Sequence, residues 1–206
     1  SSLANANHNF RDLHDGNHRR RSSSIISHVD PETDDQIIDQ NLFPNLNANW
    51  VSSKGAWCIH LVIIAFLKVF YTLLINLFIS LTPYFKDDNA GEDAHLNNIA
   101  NQLSWTLTNM TYIVGSYIMF HQVKGVPFDF NNGAYDNLTM WEQLDSGFLY
   151  TPNKKFLFLV PIAIFLISTH YANYSLNYFI INGVLCLIGI IPKFPFAYRL
   201  RIQLPL

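Results

Sequence analysis

The sequence predicts an all-α membrane protein: four transmembrane helices, preceded by a cytosolic amino-terminal segment that is disordered or docked on a partner. Three observations predict it. The 206 residues are 50 % hydrophobic and 15 % aromatic but only 14 % charged, whereas about 25 % charge is usual in a soluble domain. Four apolar stretches, at about 57–81, 103–120, 156–171 and 176–194, approach the roughly 20 residues that a spanning helix needs. Residues 1–49, by contrast, are rich in Asn, Ser, Asp and His and cannot bury enough surface to offset ordering entropy. The chain therefore divides into a mobile segment, 1–49, and a membrane domain, 50–206. A net charge of −2 gives no basis for a nucleic-acid partner. Ser1 is not Met, so natural residues are expected ahead of it; nothing in the first 49 residues resembles a cleaved signal peptide, which leaves insertion to the internal spans.

The amino-terminal segment contains "HRRRSSSIISH", His18 to His28, in which Arg19, Arg20 and Arg21 directly precede Ser22, Ser23 and Ser24. Arginines five and three residues before Ser24 suit a basophilic protein kinase. Each phosphate adds about −1.5 to −2 charges, so three invert the local sign. The other reading is a polybasic patch resting on anionic headgroups at about 1 kcal/mol per basic residue. Phosphorylation weakens that attachment too, so both readings describe an electrostatic switch.

The first span, Trp57 to Leu81, carries Lys68 near its middle, where an ammonium costs roughly 2.5–3.5 kcal/mol. Either the side chain snorkels or it faces a partner helix or polar cavity. The second span, "LSWTLTNMTYIVGSYIMF", holds Thr108, Asn109, Thr111, Tyr112, Gly115 and Ser116 at spacings of three and four, a polar face expected to meet other helices, with Thr111 and Gly115 as a small-xxx-small pair. Pro83 to Gln102 is expected to be a connection. The stretch from His121 to Phe156 is expected to form a docked cap, with a turn at Asn131-Asn132-Gly133 and a short interfacial helix beginning near Asn137. Pro161 interrupts the third span and frees the carbonyl of Leu157. The fourth span runs from Leu176 to about Phe194.

Lys and Arg near the span ends set orientation. Arg19–Arg21 and Lys54, then Lys124, Lys154 and Lys155, then Lys193, Arg199 and Arg201 all belong to one face, whereas Lys86 stands among Asp87, Asp88, Glu92 and Asp93 on the other. Both termini are thus expected in the cytosol. The sequons at Asn109, Asn137 and Asn173 are expected to carry no glycan, the first lying in a helix, the second in the cytosol and the third in a turn against the bilayer.

No catalytic constellation is visible. The eight histidines do not cluster as metal ligands, Cys58 and Cys186 lie at different depths, and there is no GxSxG elbow, phosphate loop or CxxC pair. Asp129, Asp136, Glu142 and Asp145 read as a solvated acidic face. The chain is therefore not expected to be an enzyme and is assigned no cofactor or metal.

"SWTLTNMTYIVGSYIMFHQVKGVPFDFNNGAYDNLTMWEQLD" from Ser104 to Asp145, then "YTPNKKFLFLVPI" and "LIGIIPKFP", resemble the ORM/ORMDL family of endoplasmic-reticulum proteins. The resemblance runs from near Asn45 to the carboxyl end, and "RRRSSS" is similar to its fungal branch. The connection Pro83 to Gln102 looks longer than the family's usual tight link. The resemblance implies a non-catalytic, multi-pass subunit of the endoplasmic-reticulum membrane that inhibits serine palmitoyltransferase in response to ceramide. Implied partners are the catalytic subunits, which hold the pyridoxal phosphate, their small activating subunit, ceramide and membrane lipids. It also implies that phosphorylation of Ser22, Ser23 and Ser24 relieves inhibition. Ceramide sensing falls on Asn47 of "NLNANW", placed by counting back from "KGAW", with Asn45 as neighbour. An amide offers both donors and an acceptor to a ceramide headgroup; without the resemblance, Asn47 reads as an ordinary loop or cap residue. A small transporter or channel is the rival reading, resting on Lys68 and the polar second span. A lipid-modifying enzyme is a third class, for which convergent catalytic residues are lacking.

Overall fold

The computed structural model describes residues 26–43, 45–81, 90–126 and 133–202. The chain divides into two compact units, Val29–Arg199 and a second that joins the residues up to His28 with those from Leu200 onward. In the second unit, strand β1 (Ile26–His28) pairs antiparallel with β2 (Leu200–Ile202), Ser27 opposite Arg201. The fold is thus mostly helical rather than all-α. Three-residue strands are too short for a period-two pattern to announce them.

In the larger unit residues 29–43 and 45–49, within the stretch expected to be mobile or docked, include helical structure. Helix α1 (Asp34–Leu42) starts from a capping box: the Thr33 hydroxyl accepts from Gln36 N at 3.4 Å, and Gln36 Oε1 accepts from Thr33 N at 3.2 Å. Asp34 and Asp35 in its first turn complement the helix dipole. Although none of its side chains is buried, α1 is tied down by polar bonds. Gln40 Nε2 donates to Ala134 O at 2.9 Å, and the Tyr135 hydroxyl donates to Phe43 O at 3.0 Å. These partners lie over 90 positions away in the chain, and so local composition did not reveal them. Helix α2 (Leu46–Val51) follows, with Asn45 as its N-cap.

Helix α3 (Cys58–Leu81, 24 residues) matches the first expected span. At 1.5 Å per residue it is about 36 Å long, enough for a hydrocarbon core of roughly 30 Å. Only His60 and Ile75 on it are buried, so nearly its whole apolar surface faces outward. Helix α4 (Ala90–Tyr117, 28 residues) begins well before the expected Leu103 and continues as a π-helical turn, Ile118–Gln122. The presumed long connection, Pro83 to Gln102, is accordingly helix from residue 90 on. That extension is mostly polar, and no apolar run marks it.

After the short α5 (Met140–Gln143), the helices α6 (Pro152–Tyr171) and α7 (Leu176–Ile190) form a hairpin closed by left-handed Asn173 and Tyr174 at φ 51° and 56°. Three helical segments, Cys58–Leu81, Pro152–Tyr171 and Leu176–Lys193, are long and apolar enough to cross a membrane. Helix α4 is as long but more polar, and it packs on α3, α6 and α7. Three of its hydroxyls are satisfied within the helix: Thr106 donates to Gln102 O at 3.1 Å, Thr108 to Ser104 O at 2.8 Å and Ser116 to Ile113 O at 3.0 Å. Such back-bonding lets a polar face be enclosed without water.

The expected close-packing glycine is corrected. A Cβ added at exposed Gly115 would meet nothing within 4 Å, whereas one at Gly189 of α7 would stand 3.2 Å from Ile113 Cγ2. The small residue that allows close approach of α4 is therefore on its neighbour, beside the core formed by Tyr112, Ile113, Val160 and Ile164.

Candidate functional site

Where α2 meets the start of α3, a pocket of about 300 Å³ opens, at the small end of the range for ligand pockets. Trp50 and Val51 of α2, Trp57 and His60 from the α3 side, Phe120 of the π-helical turn and Leu157 of α6 are among its walls. The lining is almost wholly apolar, as suits a hydrocarbon chain. Its rigidity comes from the surroundings: the Trp57 ring stacks on Phe156 at 4.8 Å and donates to Asn153 Oδ1 at 2.9 Å, while His60 Nδ1 and the Tyr112 hydroxyl share a hydrogen bond of 3.0 Å.

Asn47 lies on α2, one helical turn before Trp50 and Val51, and its side chain is outside the described residues. Asn45 is buried and occupied. Its Oδ1 accepts from Ala48 N at 3.0 Å to cap α2, and its Nδ2 donates to Gln143 Oε1. The structure thus brings Asn45 to the base of the pocket helix as a fixing residue. Gln143, which sequence reasoning missed, is the anchor: its Nε2 also donates to Gly125 O at 3.0 Å and Leu138 O at 2.9 Å. No local pattern distinguishes such a Gln from a surface one. Ser22, Ser23 and Ser24, with Arg19–Arg21, lie outside the described residues, as do Asp129, Asn131 and Asn132.

The acidic loop is not a solvated face. Glu142 is buried; its Oε2 accepts from Thr139 N at 2.8 Å and its Oε1 from Arg199 N at 3.1 Å. Asp145 sits in a left-handed turn with Ser146 and Gly147, at φ 52°, 54° and 82°. Its carboxylate accepts from Asn153 Nδ2 at 2.8 Å and from the Thr151 hydroxyl. Among the described acidic residues of this loop, only Asp136 is exposed as expected.

Two lysines share one indole. Lys154 Nζ at the start of α6 and Lys193 Nζ past the end of α7 lie 5.6 and 5.9 Å from the Trp141 ring centroid. Lys193 also donates to Leu157 O at 2.8 Å, the carbonyl that Pro161 leaves free. Lys68 faces α4, donating to Asn101 Oδ1 at 2.9 Å and to the Ser104 hydroxyl beneath the Trp105 ring. Deeper in, Asn109 Nδ2 donates to Asn182 Oδ1 at 2.9 Å, and Asn182 Nδ2 to the Thr106 hydroxyl at 3.3 Å. Among the described residues no three His, Cys, Asp or Glu side chains stand together as a metal set, and Cys58 and Cys186 are free thiols.

Comparison with known proteins adds to this geometry. The model of the ORMDL family matches residues 94–201. The chain is 56 % identical over 188 residues to Protein ORM1 of Saccharomyces cerevisiae, covering 91 % of this chain and 75 % of that protein. It is 50 % identical over 188 residues to Protein ORM2 of the same yeast, covering 91 % and 76 %. To ORM1-like protein 3 of Mus musculus it is 33 % identical over 159 residues, covering 77 % and 90 %.

Proposed function

Because the chain belongs to the ORMDL family, we propose that it is a non-catalytic regulatory subunit of sphingolipid synthesis, inhibiting serine palmitoyltransferase in the endoplasmic-reticulum membrane when ceramide is plentiful. The observation that carries this reading is the apolar pocket formed by α2 and α3 one helical turn from Asn47. A ceramide places an amide and hydroxyls at the membrane interface and a hydrocarbon chain below them. Asn47 holds that headgroup, the pocket takes part of the chain, and Asn45 fixes the helix on which Asn47 sits.

Four crossings by α3, α4, α6 and α7 put both termini in the cytosol. The meeting of Lys154 and Lys193 at one ring supports this, since it puts the start of α6 and the end of α7 on the same side, with the basic residues that favour the cytosolic face. The amino-terminal segment lies against the catalytic subunits, which carry the pyridoxal phosphate, near their small activating subunit. A basophilic kinase adds phosphates at Ser22, Ser23 and Ser24, whose charge weakens the docked state. The hydroxyls of Thr106, Thr108 and Ser116 and the Asn109 Nδ2 group are spent on hydrogen bonds within the protein, which favours a packing role for α4 over a conducting pore.

Asn47→Ala tests the reading in complexes assembled on the palmitoyltransferase. Added ceramide should inhibit sphingoid-base synthesis less than with the unmodified chain, while the subunits still co-purify. Unchanged ceramide sensitivity removes Asn47 from the site.

A further inference from the structure

Arg199 is gripped by two separate segments of the chain. Its N–H donates to Glu142 Oε1 at 3.1 Å, its carbonyl accepts from Val29 N at 3.0 Å, and its Nη2 pairs with Glu32 Oε1 at 2.5 Å. The paired side chains are only 16 % and 23 % exposed, so solvent screens them less than an ordinary surface pair. On the other side, the Glu142 carboxylate is buried and caps α5 with its second oxygen. One carboxylate therefore holds the end of the chain to the body, and that end holds the amino-terminal segment at two points. The backbone is consistent with a forced geometry: Arg199 has φ 60°, a left-handed conformation that a non-glycine residue keeps only when surrounding contacts over-determine it. The Arg199 hydrogen bond also holds the Glu32 carboxyl below the usual carboxylate range.

We infer that Arg199 is a latch that, beside the Gln40 and Tyr135 hydrogen bonds, keeps residues 29–43 on the body, so that the carboxyl-terminal segment helps set the state of the amino-terminal one. The contact stands by itself; its regulatory consequence rests on the reading above, in which that amino-terminal segment restrains the enzyme. Release then requires the latch to open, and residues near the carboxyl end become a second input to the same control.

Hydrogen exchange on the full chain in detergent tests this. Glu32→Arg and Arg199→Glu should each speed exchange of the amides of residues 29–43 by about tenfold while α3 and α7 keep their protection. The double variant, which restores the pair with signs swapped, should return exchange close to the unmodified level. Single variants that exchange like the unmodified chain, or a double variant no better than either single, overturn the latch. If a reversal loosens α3 as well, Glu32→Gln serves instead, and exchange in residues 29–43 that stays at the unmodified level overturns the latch equally. In complexes with the palmitoyltransferase, Arg199→Glu should raise sphingoid-base output. A loosened segment with undiminished restraint supports the latch and overturns the proposed role of that segment.

Discussion

An ammonium in the middle of an apolar helix needs a substitute for water, and Lys68 has one. Asn101, Ser104 and the Trp105 ring, all on α4, surround its Nζ, which decides between the two readings the sequence left open: the side chain faces a neighbouring helix. The energetics are asymmetric. Removing a partner leaves the charge in place, whereas removing the charge removes the demand. Asn101→Leu should therefore destabilise the protein by about 2 kcal/mol and Lys68→Met by less than about 1 kcal/mol, read from thermal unfolding in detergent. A larger loss for Lys68→Met would show the lysine to be a net source of stability. The Asn residues near the pocket show the limit of residue-level reading. An amide at position 45 suits a ligand or a cap equally; its bonds to Ala48 N and the distant Gln143 place it at the helix cap.

At the scale of elements, apolar length made α3, α6 and α7 legible, because a run of that kind is local information. Helix α4 was legible only in its second half. Its first residues are polar, with several weak helix formers and no apolar run, and their place beside α3 depends on contacts such as Lys68 to Asn101, 33 positions apart. The polar face was read correctly as helix-facing, for Thr108, Asn109, Tyr112 and Ser116 are buried. The close-approach position was misplaced, because helical spacing shows which residues share a face and cannot show which neighbour comes nearest. Gly115→Ala should be neutral or stabilising by up to about 1 kcal/mol, through helix propensity. Gly189→Val should cost about 1–3 kcal/mol, since its branched side chain meets Ile113 and Pro161. The two variants differ in sign under thermal unfolding only if α7 supplies the contact; equal effects would remove Gly189 from that role.

For the whole molecule, the proposed arrangement of four crossings has a direct chemical test in the three sequons. Asn109 is fully buried and bonded to Asn182, Asn137 is exposed in the crossover, and Asn173 is exposed in the α6–α7 turn. Glycosidase treatment of protein from its native membrane should leave the mass unchanged. A glycan lost on Asn137→Gln would place the crossover in the lumen and overturn the arrangement. The amino-terminal segment was the least legible part. Helix α1 buries no side chain, yet it is held by hydrogen bonds to backbone carbonyls and by Glu32 to Arg199, which need no apolar pattern.

Proline inside a helix is ordinarily a fault that engineering repairs, and in this chain it serves a second residue. The oxygen left idle by the imino nitrogen at position 161 is the mooring of the Lys193 ammonium. An N–H restored there would share that oxygen with the ammonium, since a carbonyl accepts through two lone pairs. Pro161 and Lys193 are thus coupled through one carbonyl, and a change at either is felt at the other.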